Sequence, residues 1–245
     1  GGNFNTVVGD EAGTALTTGD KNIALGFEAL ATEDTGKSSV AIGYQALKTQ
    51  NNDAENNNTA VGALAGLSVT TGTQNNLVGS QAGDALTEGG SNNAFGRLAL
   101  STDTLGSRST AIGHAALVTQ NFTTATEVYN VAVGYNAGFS VTTGIQNTIV
   151  GGLAGDALTD ADQNIAIGYQ ALGSDTLGSR SVAIGGNALI VQNFTTATFT
   201  YNVAVGANAG SAVTTARFNT LIGGLAGDAL TDGQENVALG YNSLG

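Results

Sequence analysis

The chain of 245 residues contains no proline, cysteine, methionine or tryptophan, and it has one histidine. Without cysteine it can form no disulfide framework, no thiolate metal site and no cysteine nucleophile. Charged residues make up 11% of the sequence, well below the share of about 25% in globular domains, so a conventional core with a charged shell is not expected. Hydrophobic residues still reach 41%, which is too many for a disordered segment.

Positive charge is also scarce. Seven lysines and arginines stand against nineteen aspartates and glutamates, which gives a net charge of −12. This sign disfavours nucleic acid and anionic lipid as partners. No apolar run approaches the roughly 20 residues of a membrane span, so we expect no membrane insertion by this segment. Because both ends fall inside the repeat described next, we expect the chain to be a fragment of a longer fibre.

The abundant residue is glycine, with 37 copies, and fourteen of them mark a repeat. Each of these anchor glycines follows an aliphatic or aromatic residue, and most are separated by a 17-residue interval, as Gly9 is from Gly26. A longer interval precedes every fourth unit, which gives a 72-residue cycle, as from Gly62 to Gly134. The anchors are Gly9, Gly26, Gly43, Gly62, Gly79, Gly96, Gly113, Gly134, Gly151, Gly168, Gly185, Gly206, Gly223 and Gly240.

The repeat predicts the fold. Each unit has one short alternating run rich in β-branched residues and ended by the anchor glycine, which is typical of a strand. Units this short cannot bury a face alone and must stack on their neighbours. The sequence therefore predicts an all-β solenoid of fourteen 17-residue coils, a single continuous domain over residues 1–245. At the spacing of paired strands, fourteen coils would form a rod of roughly 65 Å.

The strand residues predict which side faces inward. The residue before the anchor glycine is Val, Leu, Ile or Phe in every unit, and we expect it to build an internal aliphatic stack. The residue before that is alanine in ten units, for example Ala24 and Ala166, and by alternation it faces the other way. Because alanine and glycine suit close approach of another backbone, we expect this second face to be buried in a homotrimer. The alternative is a monomeric solenoid.

Asparagine stands four residues before the anchor in eleven units, and serine in three. Stacked asparagines at a turn tolerate left-handed backbone and can pass side-chain hydrogen bonds from coil to coil. We therefore predict a structural ladder rather than a ligand site. Its members are Asn5, Asn22, Asn58, Asn75, Asn92, Asn130, Asn147, Asn164, Asn202, Asn219 and Asn236.

Three insertions precede the fourth kind of unit, at 48–59, 118–129 and 190–201. Insertions in solenoids map to one face, often a functional one. Each contains an Asn-x-Thr sequence, at Asn57, Asn121 and Asn193, which predicts loops for contact or glycan display. The alternative is a bulge or short hairpin that hides Phe122 and Phe194 against the solenoid.

Catalytic residues and cofactors are not expected. The repeat equivalents of His114 are Tyr44 and Gly186, which favours a solvated side chain. A calcium site in the acidic connection that holds Asp156, Asp160 and Asp162 is a further hypothesis, but no established calcium-loop pattern is present.

One lone cation per cycle is expected to form an ion pair with a preceding aspartate. The cations are Lys37, Arg108 and Arg180, and the aspartates are Asp34, Asp103 and Asp175.

The runs Ser38-Ser39-Val40-Ala41-Ile42-Gly43 and Asn130-Val131-Ala132-Val133-Gly134 resemble the head repeats of trimeric autotransporter adhesins. The run from Ile165 to Leu172 is similar to repeats of bacteriophage tail fibres and large bacterial surface proteins. The resemblance covers the whole chain. It implies a left-handed parallel β-roll, three chains wide, in an extracellular, cell-surface or virion filament.

The leading hypothesis is a non-catalytic fibre shaft or adhesive head that self-associates and contacts a host-surface protein or glycan. The alternative is a phage tail-fibre domain that binds a receptor or degrades polysaccharide; the latter would need an acidic cluster that breaks the repeat. An ice-binding solenoid is a third hypothesis, but it needs a regular threonine array where alanine is found.

Overall fold

The computed structural model describes residues 2–245, which form a parallel β-solenoid with no helix. The predicted all-β class is confirmed, and fourteen coils are present. The predicted coil period is confirmed as well, because paired strand residues stand one 17-residue interval apart, as Thr6 and Ile23 do. The chain divides into two compact units, one that ends at Val128 and one that runs from Tyr129 to Gly245.

The first unit contains seven coils, each with one three-residue strand paired in parallel with the next. These strands are β1 (Thr6–Val8), β2 (Ile23–Leu25), β3 (Val40–Ile42), β4 (Thr59–Val61), β5 (Asn76–Val78), β6 (Asn93–Phe95) and β8 (Thr110–Ile112). Two shorter strands, β7 (Gly106–Ser107) and β9 (Thr126–Glu127), form a separate parallel pair.

The second unit repeats the arrangement, again with seven coils and parallel pairing throughout. Its three-residue strands are β10 (Val131–Val133), β11 (Thr148–Val150), β12 (Ile165–Ile167), β14 (Val182–Ile184), β16 (Val203–Val205), β17 (Thr220–Ile222) and β18 (Val237–Leu239). The short strands β13 (Gly178–Ser179) and β15 (Thr198–Phe199) pair in parallel with each other.

The strands face the opposite way from the prediction. The central residue of every three-residue strand from β2 onward is buried in the solenoid, and Ala24 and Ala166 have no exposed surface. The aliphatic residues on either side point outward, and Ile165 and Ile222 are more than a third exposed. The predicted inward stack of residues before the anchor glycine is therefore wrong, and so is the outward Ala face. Most of these central residues are alanine, and the larger Leu77, Ile149 and Leu221 are fully buried at the same position.

Interior packing accounts for the four-unit cycle. Where the strand centre is large, as at Leu77, the fourth residue after the anchor is glycine. A Cβ atom added at Gly83 or Gly66 would lie 2.8 Å from a Leu77 methyl group. Where that position holds a leucine instead, as at Leu30, the strand centre is alanine. Large and small side chains thus alternate so that the interior is filled without overlap.

Besides the anchor glycine, three positions in each coil have positive φ, and 35 of these residues are not glycine. They are the residue before the ladder asparagine and the second and fourth residues after the anchor, as at Gln163, Gln170 and Leu172. The ladder asparagines themselves have ordinary φ angles, so the left-handed geometry expected of them lies one residue earlier. Such a conformation costs roughly 1–2 kcal/mol per residue. Stacking against the neighbouring coils holds the backbone in it.

Candidate functional site

The ladder asparagines connect each coil to the next through both ends of the amide. Asn164 Nδ2 donates to the Gly178 carbonyl at 2.9 Å, and Asn164 Oδ1 accepts from the Ser181 amide at 2.8 Å. Asn22 and Asn75 form the same two kinds of contact in the first unit. All ladder residues between Asn22 and Asn219 are buried. Their amides satisfy backbone groups of the interior, which is a structural use of asparagine.

Where serine replaces asparagine, a buried glutamine takes its place. Gln192 Nε2 donates to Ser181 Oγ at 2.9 Å and to Asp175 Oδ2 at 2.6 Å, while its Oε1 accepts from Asn202 Nδ2 at 2.8 Å. The other Asp175 oxygen accepts from the Phe194 and Gly178 amides. We call this an acid–glutamine–serine cluster. The others are Glu33, Gln50 and Ser39, and Asp103, Gln120 and Ser109.

The acids of these clusters are enclosed by the solenoid, with no exposed surface on Asp103, Asp175 or Glu33. Burial raises the pKa of the Asp103 and Asp175 carboxyl groups, and their backbone and glutamine hydrogen bonds oppose this effect. The expected ion pairs of these two aspartates with Arg108 and Arg180 are therefore wrong, because their partners are neutral groups. Lys37 likewise pairs with Asp20 rather than Asp34, at 3.6 Å.

The insertions lie against the solenoid. In the second and third insertions, β9 and β15 each add a short parallel strand, and the phenyl rings of Phe122 and Phe194 are 7% and 6% exposed. Asn57 and Asn193 are exposed, whereas Asn121 is half-buried. The Oδ1 atoms of Asn121 and Asn193 each accept from a threonine hydroxyl at 3.1 Å. The two phenylalanines thus anchor the insertions, and the asparagines and threonines form the outer surface.

The first unit has an open polar groove of about 350 Å³ beside the second insertion, lined by hydroxyl and charged side chains. Arg108 and Glu127 stand on its wall and form an ion pair at 2.9 Å. Thr71, Glu88 and Ser107 are among the other lining residues.

In the second unit the equivalent arginine lies among aromatic rings. Arg180 Cζ is 4.0 Å from the centroid of Phe199 and 5.5 Å from that of Tyr201, whose hydroxyl accepts from Arg180 Nη1. Tyr201 stacks on Phe218 with centroids 5.9 Å apart, and Arg217 Cζ lies 5.3 Å from the Phe218 ring. These five side chains are called the Arg180 patch. Sequence reasoning missed it, although the exchange of Glu127 for Phe199 between insertions was a readable signal.

The other sequence candidates do not come together. Asp162 Oδ1 accepts from the Ile145 amide, Asp160 Oδ1 accepts from Thr143, and Asp156 is half-buried elsewhere on the coil. Residues 2–245 contain no group of three His, Asp or Glu side chains that could hold a metal ion. His114 Nε2 lies 3.2 Å from Arg97 Nη1 on the surface. In the same range, no helix is long and apolar enough to cross a membrane.

The fold and these sites define the class as a β-solenoid repeat protein. No protein-family model matches the chain, and no curated protein matches its sequence.

Proposed function

We propose that the protein is a non-catalytic fibre shaft or adhesive head that self-associates as a homotrimer in an extracellular, cell-surface or virion filament. The observation that carries this proposal is the outward aliphatic face of the strands. Val, Ile, Leu or Phe stands at the outer position before every anchor glycine. Phe95, Ile112 and Ile222 there are 38–41% exposed. An apolar face of this kind favours burial against another copy.

The sequence prediction assigned the trimer interface to the Ala/Gly face, and the present proposal assigns it to the outward aliphatic face. Its strands are in register from coil to coil within each unit, so aliphatic residues form straight rows. Tyr169 and Tyr241 stand next to their anchor glycines and extend the apolar surface, with more than half of each side chain exposed. Three copies around an axis would enclose three such faces in one closed assembly.

The mechanical role follows from the hydrogen bonds between coils. The amide ladder and the strand ladder run through consecutive coils, so bending requires many hydrogen bonds to break together. Repetition also presents equivalent surfaces at regular intervals, and linked weak contacts give avidity. The resemblance of the repeat to adhesin heads and phage tail fibres supports the extracellular or virion setting.

Mass in solution tests the proposal. Light scattering at micromolar concentration should give three times the chain mass of 24.2 kDa. Replacement of Ile167 and Ile184 by glutamate should yield folded monomers, because it places two charges on the outward face. Thr196→Glu adds a charge to an exposed insertion and should leave the trimer intact. A monomeric native chain would overturn the proposal.

A further inference from the structure

The third insertion differs from the second at one informative position. Residues 120–127 and 192–199 are identical except that Glu127 is replaced by Phe199. Both insertions keep their buried phenylalanine and their short parallel strand, so the backbone at the exchanged position is the same. The exchange therefore changes what the neighbouring arginine meets and leaves the fold unchanged.

The consequence is an arginine without a carboxylate partner among residues 2–245. None of the ion pairs found among residues 2–245 includes Arg180 or Arg217. Arg180 is held in place by Gln163 Oε1, which accepts from its Nε at 3.0 Å, and by the rings of Phe199 and Tyr201. A guanidinium has five N–H donors, and this arrangement leaves several of them for a ligand.

The rings around the two arginines are exposed rather than covered. Phe199, Tyr201 and Phe218 are 56%, 45% and 43% exposed, although aromatic side chains of this size are usually buried. Exposed clusters of Tyr, Phe and Arg are the composition of binding hot spots. In a chain of net charge −12, two cations without carboxylate partners mark this surface as the place for a negative group.

We propose that the Arg180 patch binds a sugar that carries a carboxylate, as the terminal unit of a surface glycan. The carboxylate pairs with the guanidinium of Arg180 or Arg217, for which the planar fork of arginine is suited. The apolar C–H face of the sugar ring packs on Phe199, the most exposed of the three rings. The inference rests on the proposed adhesive function and names the ligand class for it.

Size and charge favour a single acidic sugar over larger acidic partners. A stable protein interface needs about 800 Å² on each partner, and this patch consists of five side chains. A polyanion such as nucleic acid would meet the repulsion of the whole acidic chain. A single carboxylate is screened from distant charges beyond about 8 Å at physiological salt and therefore responds to the two nearby arginines.

The test uses the full chain, with 3′-sialyllactose as probe, lactose as the uncharged control and hexaglutamate as an acidic peptide. Titration calorimetry should detect binding of 3′-sialyllactose and no binding of lactose. Phe199→Glu restores the carboxylate present in the second insertion and should abolish binding. Arg180→Gln should weaken binding about tenfold or more, because a charge-assisted hydrogen bond is lost. The matched variant Arg108→Gln should bind like the native chain.

Three results would overturn the proposal: no binding of 3′-sialyllactose, equal effects of Arg180→Gln and Arg108→Gln, or tighter binding of hexaglutamate than of the sugar. Circular dichroism of each variant verifies that the exposed substitutions leave the solenoid folded. Light scattering on the same samples separates this inference from the fibre proposal. A monomer that binds the sugar would overturn the trimer alone, whereas a trimer that ignores it would overturn the sugar site alone.

Discussion

Arg108 and Arg180 occupy equivalent positions of two successive cycles, but they have different surroundings. Arg108 pairs with Glu127 on the wall of a polar groove, whereas Arg180 lies on Phe199 beside two stacked rings. In the interior, Asp103 and Asp175 have equivalent partners, because each accepts from a glutamine side chain and from a phenylalanine backbone amide. The interior of the coil is therefore fixed by its repeat, while the side chains of the outer surface differ in chemistry between cycles.

The largest expected effect is in the interior and should be equal in both cycles. Gly96 and Gly168 have φ angles of 145° and 130°, and a Cβ at either would collide with the backbone of the next coil's anchor glycine. Each alanine substitution should lower the free energy of unfolding by about 3 kcal/mol or more, measured by urea titration. Gly186→Ala is the control, because a Cβ there meets nothing within 4 Å. Clearly unequal losses would break the equivalence of the two interiors.

The amide ladder gives the next largest effect. Asn92→Ala and Asn164→Ala each leave a buried carbonyl and a buried amide of a neighbouring coil without their partners. The expected loss is about 2–4 kcal/mol of unfolding free energy in either cycle. Asn51 is exposed, so Asn51→Ala should change stability by no more than about 0.5 kcal/mol. A negligible loss at both ladder positions would contradict the structural role of the asparagines.

The buried acids predict a pH dependence shared by both cycles. Burial raises the pKa of Asp103 and Asp175 in the folded chain, so the folded state keeps its protons to higher pH than the unfolded state. Their contribution to stability is full below the unfolded pKa of about 4 and is lost as pH rises through the raised folded pKa.

Thermal unfolding between pH 3 and 8 tests this sign. In the variants Asp103→Asn and Asp175→Asn, stability should fall less than in the native chain as the pH is raised. At pH 4 each variant should also be less stable by about 1–3 kcal/mol, since an amide nitrogen would face the glutamine Nε2 donor. A pH slope unchanged in both variants would contradict the effect of burial.

The smallest expected effect concerns the surface that distinguishes the cycles. Arg108 and Glu127 have side chains about half exposed, so Glu127→Gln should cost about 0–1 kcal/mol. Phe199→Glu should change stability by a similarly small amount. The Glu127→Gln difference should disappear in 1 M salt, where the Debye length is about 3 Å. A loss of about 2 kcal/mol or more from either change, which exceeds what an exposed ion pair contributes, would mean that this surface takes part in folding and not only in recognition.

Much of the fold could be predicted from the repeat. The recurrence of an aliphatic residue before glycine determines the strand positions, as at Ile167-Gly168, and the 17-residue interval requires parallel stacking. The side of each strand that faces the interior could not be predicted from alternation, because both faces of a strand such as Ile165-Ala166-Ile167 are apolar. Gln163 and Gln170, with left-handed backbone, also gave no signal, since glycine and asparagine are the residues expected there.

Among the candidate sites, too, some residues could be predicted from the sequence and others could not. The ladder asparagines were predictable because a periodic polar residue at a strand entry has few uses other than coil-to-coil bonding. Gln120 and Gln192 were overlooked because such a glutamine occurs once per cycle, at the start of an insertion, and not in every coil.

By itself, the sequence determined the coil length, the strand class and the 72-residue cycle, because these follow from the spacing of residues along one chain. Only the tertiary structure decided that alanine lies inside and the larger aliphatics outside, because that choice depends on the space left between stacked coils. It also decided the partners of Arg108 and Arg180, since the deciding residues, Glu127 and Phe199, reach them only when the insertion folds back onto the preceding coil.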